Sequence, residues 1–195
     1  MNKSLLLTIP LLLGVFFVNT VVSLATAGTT VDVLNNQTRN SLSKQGFTQV
    51  GNAKFSVLFW DIYHSALYTP SGSFNSEISL ERSALAQPLL FEIQYLRDIS
   101  SEDLLKRTIE QWQHLGMQES TYALYLPKLK KIWPDIKKGD RLALLLQQDS
   151  TNFYFNERFA GDINNPLFGQ QFLAIWLAEN TSQPKLRRQL IGASN

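Results

Sequence analysis

The side chains that most often do chemistry are few in this chain and lie far apart. It has no cysteine and only two histidines, His64 and His114, whose separation is unlike that of metal ligands. It has no Gly-x-Ser-x-Gly motif, no phosphate-binding loop and no glycine-rich dinucleotide turn. Glu102 and Asp103 fall at a predicted helix start, where carboxylates interact favourably with the helix dipole. The sequence therefore predicts no metal site, no cofactor and no catalytic residue of a standard kind.

Aromatic side chains on predicted strands are the remaining candidates for function. Two interpretations are open: the rings fill an ordinary core, or some of them line a cavity between a sheet and helices. The residues concerned are Phe55, Phe59, Trp60, Tyr63, Tyr68, Phe91, Tyr95, Phe153, Tyr154 and Phe155. Such a cavity would accept an apolar molecule, and the tyrosines would add hydroxyl groups to it.

The predicted strands are rich in β-branched and aromatic residues and are bounded by turn residues. Residues 47–50 and 53–68 indicate two strands joined by a turn at Gly51 and Asn52. A third strand is predicted at residues 89–96. Residues 141–146 and 152–159 then indicate a hairpin on one face of a sheet.

The predicted helices are amphipathic and carry recognisable start signals. The first follows Ser100, a capping residue, and has apolar residues at a spacing of about 3.6. A second helical stretch covers residues 121–133, with a kink or restart at Pro127, and two more begin near residues 166 and 184. Helices grouped between antiparallel strands indicate an α+β domain, an antiparallel sheet with helices packed on one face. The side chains expected to be buried against the sheet are Leu104, Ile109, Trp112, Phe172 and Trp176.

The first 27 residues have the pattern of a secretory signal peptide. Lys3 supplies a positive charge, residues 5–18 carry none, and the stretch closes on the small-x-small site ending at Ala27. We expect cleavage after Ala27, export to a bacterial periplasm and one mature domain, residues 28–195. The alternative is an uncleaved membrane anchor, although the apolar run ends near Asn19, short of the about 20 residues that span a bilayer.

The charge balance indicates which partners to expect. A formal net charge of +2 provides no basic field for nucleic acid, which binds clustered Lys and Arg through its phosphates. One local basic run lies within residues 128–138. A solvated helix end is the simpler interpretation of this run, and contact with an acidic membrane surface is the alternative.

Several phrases, in their order and spacing, resemble a known family. They are residues 50–63 and 66–68, Tyr95-Leu-Arg-Asp-Ile-Ser100, Gly139-Asp-Arg141, and residues 172–177 and 186–192. Together they resemble the exported bacterial chalcone isomerase-like proteins, over most of the chain after the leader. The resemblance implies an open-faced β-sandwich, a large antiparallel sheet with helices over one face and a ligand cleft between them. It also implies two activities, because plant members cyclise chalcones whereas related members bind fatty acids.

The enzyme residues that the resemblance implies are not matched in this chain. In the plant enzymes they are an arginine early in the sheet, a threonine on the next strand, and a helical tyrosine and asparagine. The threonine position corresponds to Tyr63, and the arginine position falls near Lys54 or Phe55. The ammonium of lysine is a compact point charge, whereas the planar guanidinium of arginine can donate two parallel hydrogen bonds. The helical positions correspond to Asp103 and Glu110, whose negative charges would repel a phenolate.

The function predicted from these points is non-catalytic binding of a small apolar or amphipathic ligand, such as a fatty acid. Lys54 would meet a carboxylate, while Tyr63 and Tyr68 would offer hydroxyl groups or ring faces. On one unbroken strand Lys54 and Tyr63 face opposite sides, so a shared cleft requires a bulge near Trp60 and Asp61. Two alternatives stay open. One is an intramolecular lyase or isomerase for a phenolic or conjugated substrate, and the other is a cell-envelope interaction protein without a small ligand.

Overall fold

The computed structural model describes residues 46–74, 88–147 and 150–193, and the predicted signal peptide lies outside them. These residues form a six-stranded sheet in which each strand pairs antiparallel with the next along the chain. The strands are β1 (Thr48–Val57), β2 (Trp60–Thr69), β3 (Leu89–Tyr95), β4 (Arg141–Leu146), β5 (Thr151–Phe155) and β6 (Arg158–Ile163). With helices over one face, this arrangement confirms the predicted α+β class.

The helices among the described residues are α1 (Ser101–His114), α2 (Glu119–Tyr122), α3 (Leu126–Ile132), α4 (Phe168–Leu177) and α5 (Pro184–Leu190). Ser100 caps α1 as predicted, because its Oγ accepts a hydrogen bond from the Asp103 backbone N–H at 3.0 Å. The predicted stretch 121–133 restarts at Pro127, which lies in the first turn of α3, where a missing N–H is tolerated. None of the helices in the described part of the chain has the length and apolar character to cross a bilayer.

The first hairpin turns at a different place from the predicted one. Strand β1 continues through Gly51 and Asn52, and the chain turns at Leu58 and Phe59 instead. Gly51 serves a different purpose, since a Cβ atom there would overlap the backbone carbonyl groups of α5 at Gln189 and Leu190. Glycine marks a close approach of helix and strand here, which sequence alone does not distinguish from a turn.

The predicted strand at 152–159 is two strands, β5 and β6, joined by a tight turn. Asn156 and Glu157 form that turn with φ angles of 47° and 69°. Two consecutive left-handed residues match the right-handed twist of a two-residue hairpin. Asparagine tolerates this conformation well, but glutamate gives no turn signal in the sequence, so the prediction of a single strand was wrong.

The core lies between the helices and the face of β3 that carries its odd-numbered residues. Contacts between rings define this layer: Phe91 lies 4.8 Å from Trp176 of α4, and Phe153 lies 6.1 Å from Trp133. Trp112 and Phe172 are buried as predicted, whereas Leu104, Ile109 and Trp176 are only partly buried. The core is therefore closed at its centre, and several apolar side chains at its edge are partly exposed.

Candidate functional site

Tyr63 is one of these partly exposed side chains and is the centre of a group of aromatic rings. Its hydroxyl oxygen accepts a hydrogen bond from the indole Nε1 of Trp176 at 2.9 Å. Its ring centroid lies 5.1 Å from that of Phe55 and 6.2 Å from that of Tyr95. Phe91 adds a contact with Trp176. We refer to these five residues as the Tyr63 cluster.

The register of the sheet positions three of these rings in one row. Phe55 of β1 is the direct cross-strand partner of Tyr63 in β2, and Tyr63 is the direct partner of Tyr95 in β3. Side chains of directly opposed residues lie on the same face and touch. Trp176 reaches the row from α4, so that one sheet face and one helix build the cluster together.

Burial controls the protonation of both tyrosines. It raises the pKa of Tyr63 to about 12, and it raises the pKa of Tyr95 further, with the neighbouring Tyr63 adding to the effect. Both hydroxyls therefore keep their protons at physiological pH. Because the Tyr63 oxygen accepts from Trp176, its own proton points elsewhere and can be donated to a carboxylate or carbonyl oxygen.

The Tyr63 cluster is partly exposed to solvent. Phe55, Tyr63 and Trp176 are themselves only partly buried, unlike Trp112 and Phe153, which are fully buried. Helix α1, which packs against α4, and the segment before it carry further partly buried apolar side chains of the same core: Ile99, Leu104, Leu105 and Ile109. The partly exposed rings of the cluster offer apolar surface to a ligand, with one polar hydroxyl among them.

Lys54 lies on the face of the sheet opposite the helices. It is the cross-strand partner of His64, and its Nζ contacts Asp61 Oδ2 at 3.0 Å. Hydrogen bonds lower the pKa of Asp61, the larger effect coming from Ser56 and the smaller from Lys54. The pKa of His64 is also lowered, mainly by burial and in addition by the Lys54 charge. The ammonium group is thus engaged in a local polar group away from the Tyr63 cluster.

Tyr68 also lies on the opposite face, five residues along β2 from Tyr63 in an unbroken register with β3. It is 2% exposed and packs with Ala66 and Leu90 in a second, smaller apolar cluster. A bulge does occur between Phe55 and Ser56 in their pairing with β2, close to the predicted place, but it leaves Lys54 and Tyr63 on different faces. The three predicted site residues therefore do not form a single site, and a binding role for each stays a prediction.

A buried carboxylate on the opposite face was missed by the sequence reasoning. Glu92 is 4% exposed, and its Oε1 lies 3.9 Å from Nε of Arg141. Burial raises the pKa of Glu92 to about 7, with Arg141 opposing the shift and Glu157 adding to it. Its position in the mainly apolar strand β3, where it is the one charged residue, was the available signal. No cluster of three acidic or histidine side chains suited to a metal occurs in the described ranges.

Comparison with known proteins supplies the family. The sequence profile of the chalcone isomerase-like family matches residues 28–192. The chain belongs to the chalcone isomerase-like family. An uncharacterized protein of Haemophilus influenzae is 23% identical over 143 residues, which make up 73% of this chain and 67% of that protein. The resemblance read from the sequence is confirmed.

A solved structure shows the same fold. The crystal structure of an Arabidopsis thaliana fatty-acid binding protein matches with a TM-score of 0.58 at 11% identity, covering 75% of this chain and 87% of the other. At so low an identity the match shows a shared fold. This chalcone isomerase-like protein therefore has an architecture that is also found in a ligand-binding protein.

The resemblance relates two helical positions to enzyme residues, and carboxylates stand at both, Asp103 and Glu110. Asp103 takes part in the α1 cap, where its Oδ2 accepts a hydrogen bond from Ser100 at 2.7 Å. Glu110 accepts a hydrogen bond from Arg107 at 2.7 Å. Neither residue offers the phenol or amide that the enzyme positions imply.

Proposed function

We propose that this chalcone isomerase-like protein binds a small amphipathic molecule, such as a fatty acid, at the Tyr63 cluster and does not transform it. The observation that carries the proposal is the pair formed by Tyr63 and Trp176. Tyr63 keeps its hydroxyl proton and lies among rings that are in part exposed. Because Trp176 donates to the Tyr63 oxygen, the Tyr63 proton points away from the indole.

The apolar part of the ligand would pack along the rings and the neighbouring aliphatic side chains. Each methylene removed from water contributes about 0.8 kcal/mol, so ten of them contribute about 8 kcal/mol before the costs of association. A carboxylate head would accept a hydrogen bond from the Tyr63 hydroxyl. Hydrogen bonds to charged groups contribute about 1.5–3 kcal/mol, which sets the part of the affinity that depends on Tyr63.

The side chains of the cluster support binding rather than acid–base catalysis. A tyrosine with a pKa of about 12 is a poor general base near neutral pH, because almost none of it is ionised. The helical positions discussed above hold Asp103 and Glu110, which are engaged with Ser100 and Arg107. Orientation of a ligand by rings and one hydroxyl is the role that remains for this site.

We place the protein in the periplasm after removal of residues 1–27. The support is the charged start, apolar run and small-residue exit of the leader. Expression of the full chain with a C-terminal tag, followed by cell fractionation and N-terminal sequencing, tests this. The expected result is a periplasmic product that begins at Gly28, and an intact N-terminus in the membrane fraction would contradict it.

Ligand binding is tested first by native mass spectrometry of protein purified from its own host, and then by titration of the delipidated protein with fatty acids. Tyr63→Phe should weaken binding about tenfold to a hundredfold, because it removes one hydrogen bond to a carboxylate. Tyr154→Phe is the matched control, since Tyr154 lies on β5 opposite Ala143, on the other face of the sheet. Binding that is unchanged by Tyr63→Phe but lost in Lys54→Ala would move the site to the other face.

A further inference from the structure

The turn between β1 and β2 exposes four consecutive large apolar side chains. Val57, Leu58, Phe59 and Trp60, which we call the hairpin tip, are 47%, 86%, 96% and 59% exposed. Leu58 has a φ angle of 54°, in the left-handed region that leucine seldom occupies. A run of exposed apolar residues is unfavourable in water and is typical of a surface that contacts something apolar.

A cationic group lies against the hairpin tip. The guanidinium of Arg97 lies over the ring of Trp60, 4.3 Å from its centroid. Among the described residues no carboxylate lies within ion-pair distance of Arg97. Leu58 and Phe59 thus lie at the turn itself, the Val57 and Trp60 pair follows, and next comes the Arg97 cation, which has no carboxylate partner among the described residues. Tryptophan and arginine prefer the level of the lipid head groups, with apolar side chains deeper.

The size of the hairpin tip argues against a protein partner. A large aromatic side chain carries about 150–250 Å², so the four exposed side chains offer on the order of 500 Å² together. Each side of a stable protein interface buries about 800 Å². A bilayer has no such minimum, since it surrounds any apolar group that enters it.

We propose that the hairpin tip inserts into the interfacial region of a phospholipid bilayer, with Leu58 and Phe59 among the acyl chains and Trp60 and Arg97 at the head groups. Arg97 complements the negative phosphate of the lipid. This contact is independent of a ligand at the Tyr63 cluster. Insertion of the hairpin tip also differs from electrostatic adsorption through the basic residues 128–138, where the Lys137 ammonium is already paired with Asp98 at 3.1 Å.

Co-sedimentation with vesicles of phosphatidylcholine and phosphatidylglycerol tests the insertion. Binding should persist at about 1 M salt, where the electrostatic screening length is only about 3 Å. Phe59→Ser should weaken binding about tenfold or more, because the variant loses the one phenyl side chain that the wild type would bury in the bilayer. Leu124→Ser is the matched control, because Leu124 is 74% exposed in the turn between α2 and α3.

Tryptophan fluorescence reports the depth of insertion. Trp112 and Trp133 are buried and Trp176 is partly buried, so Trp60 is the exposed fluorophore. Lipids brominated on their acyl chains should quench the wild type, and Trp60→Phe should remove most of that quenching. The proposal is overturned if vesicles do not bind at any composition, if high salt releases them, or if Leu124→Ser weakens binding as much as Phe59→Ser. It is also overturned if the wild type forms a dimer that Phe59→Ser dissociates, because the tip would then bind a second copy.

Discussion

Replacement of Glu92 by glutamine should change the pH dependence of stability in a predictable direction. Burial raises the pKa of Glu92 from its ordinary 4.5 to about 7 in the folded chain. Between these two values the folded chain holds a proton that the unfolded chain has released. The free energy of unfolding therefore falls as the pH rises from about 4.5 to about 7. Below this range Glu92 does not change the stability, and above it the whole loss due to Glu92 has occurred.

The magnitude follows from the size of the shift. A change from 4.5 to about 7 corresponds to about 3 kcal/mol, since each pKa unit is worth about 1.4 kcal/mol. Glutamine has nearly the same shape and does not ionise. The stability of Glu92→Gln relative to the wild type should thus be about 3 kcal/mol greater near pH 8.5 than near pH 4.

Urea unfolding followed by tryptophan fluorescence at a series of pH values measures this difference. Comparison of variant and wild type at each pH cancels the contributions of all other ionisable groups. Glu110→Gln serves as the control, because the carboxylate of Glu110 is far more accessible than that of Glu92 and is paired with Arg107. A relative stability that does not change with pH, or one that favours the wild type as the pH rises, would show that Arg141 keeps Glu92 ionised.

Three further outcomes are expected. Trp112→Ala should lower the free energy of unfolding by about 3–5 kcal/mol in urea titrations, because Trp112 is fully buried and its Nε1 donates to the Gln171 carbonyl; a loss near zero would contradict its place in the core. Gly51→Ala should lower the melting temperature far more than Gly46→Ala, because an added Cβ overlaps the backbone of α5 at Gly51, whereas at Gly46 it meets no atom within 4 Å and only the positive φ angle of 78° opposes it. The mature protein should not accelerate loss of 2′-hydroxychalcone absorbance above the spontaneous rate, and a clear acceleration would favour an isomerase.

The fold was predictable from sequence because its signals are local. Strands rich in β-branched and aromatic residues, the Ser100 cap and the restart at Pro127 are each signalled by a few neighbouring positions, and each of these elements was confirmed. The first turn was misplaced for the same reason. Gly51 is a local turn signal in the sequence, but in the fold it is needed because α5, far along the chain, packs closely against it. Leu58 and Phe59 form the true turn without any turn residue.

The candidate site was less predictable because its contacts are long-range. The hydrogen bond between Tyr63 and Trp176 joins residues 113 apart, and no spacing rule connects them. Periodicity placed Lys54 and Tyr63 on opposite faces by counting along one strand. They are on opposite faces, but on different strands, because the chain turns between them. Counting residues along one assumed strand therefore placed the two side chains on opposite faces correctly, although the two residues belong to different strands.

A structure of the complex with a saturated fatty acid tests the central claim most directly. The account predicts a carboxylate oxygen about 2.5–3.0 Å from the Tyr63 hydroxyl, with the alkyl chain between the sheet and α4 along Phe55 and Trp176. A ligand on the opposite face beside Lys54 or Tyr68, or no ligand at all at saturating concentration, would contradict it.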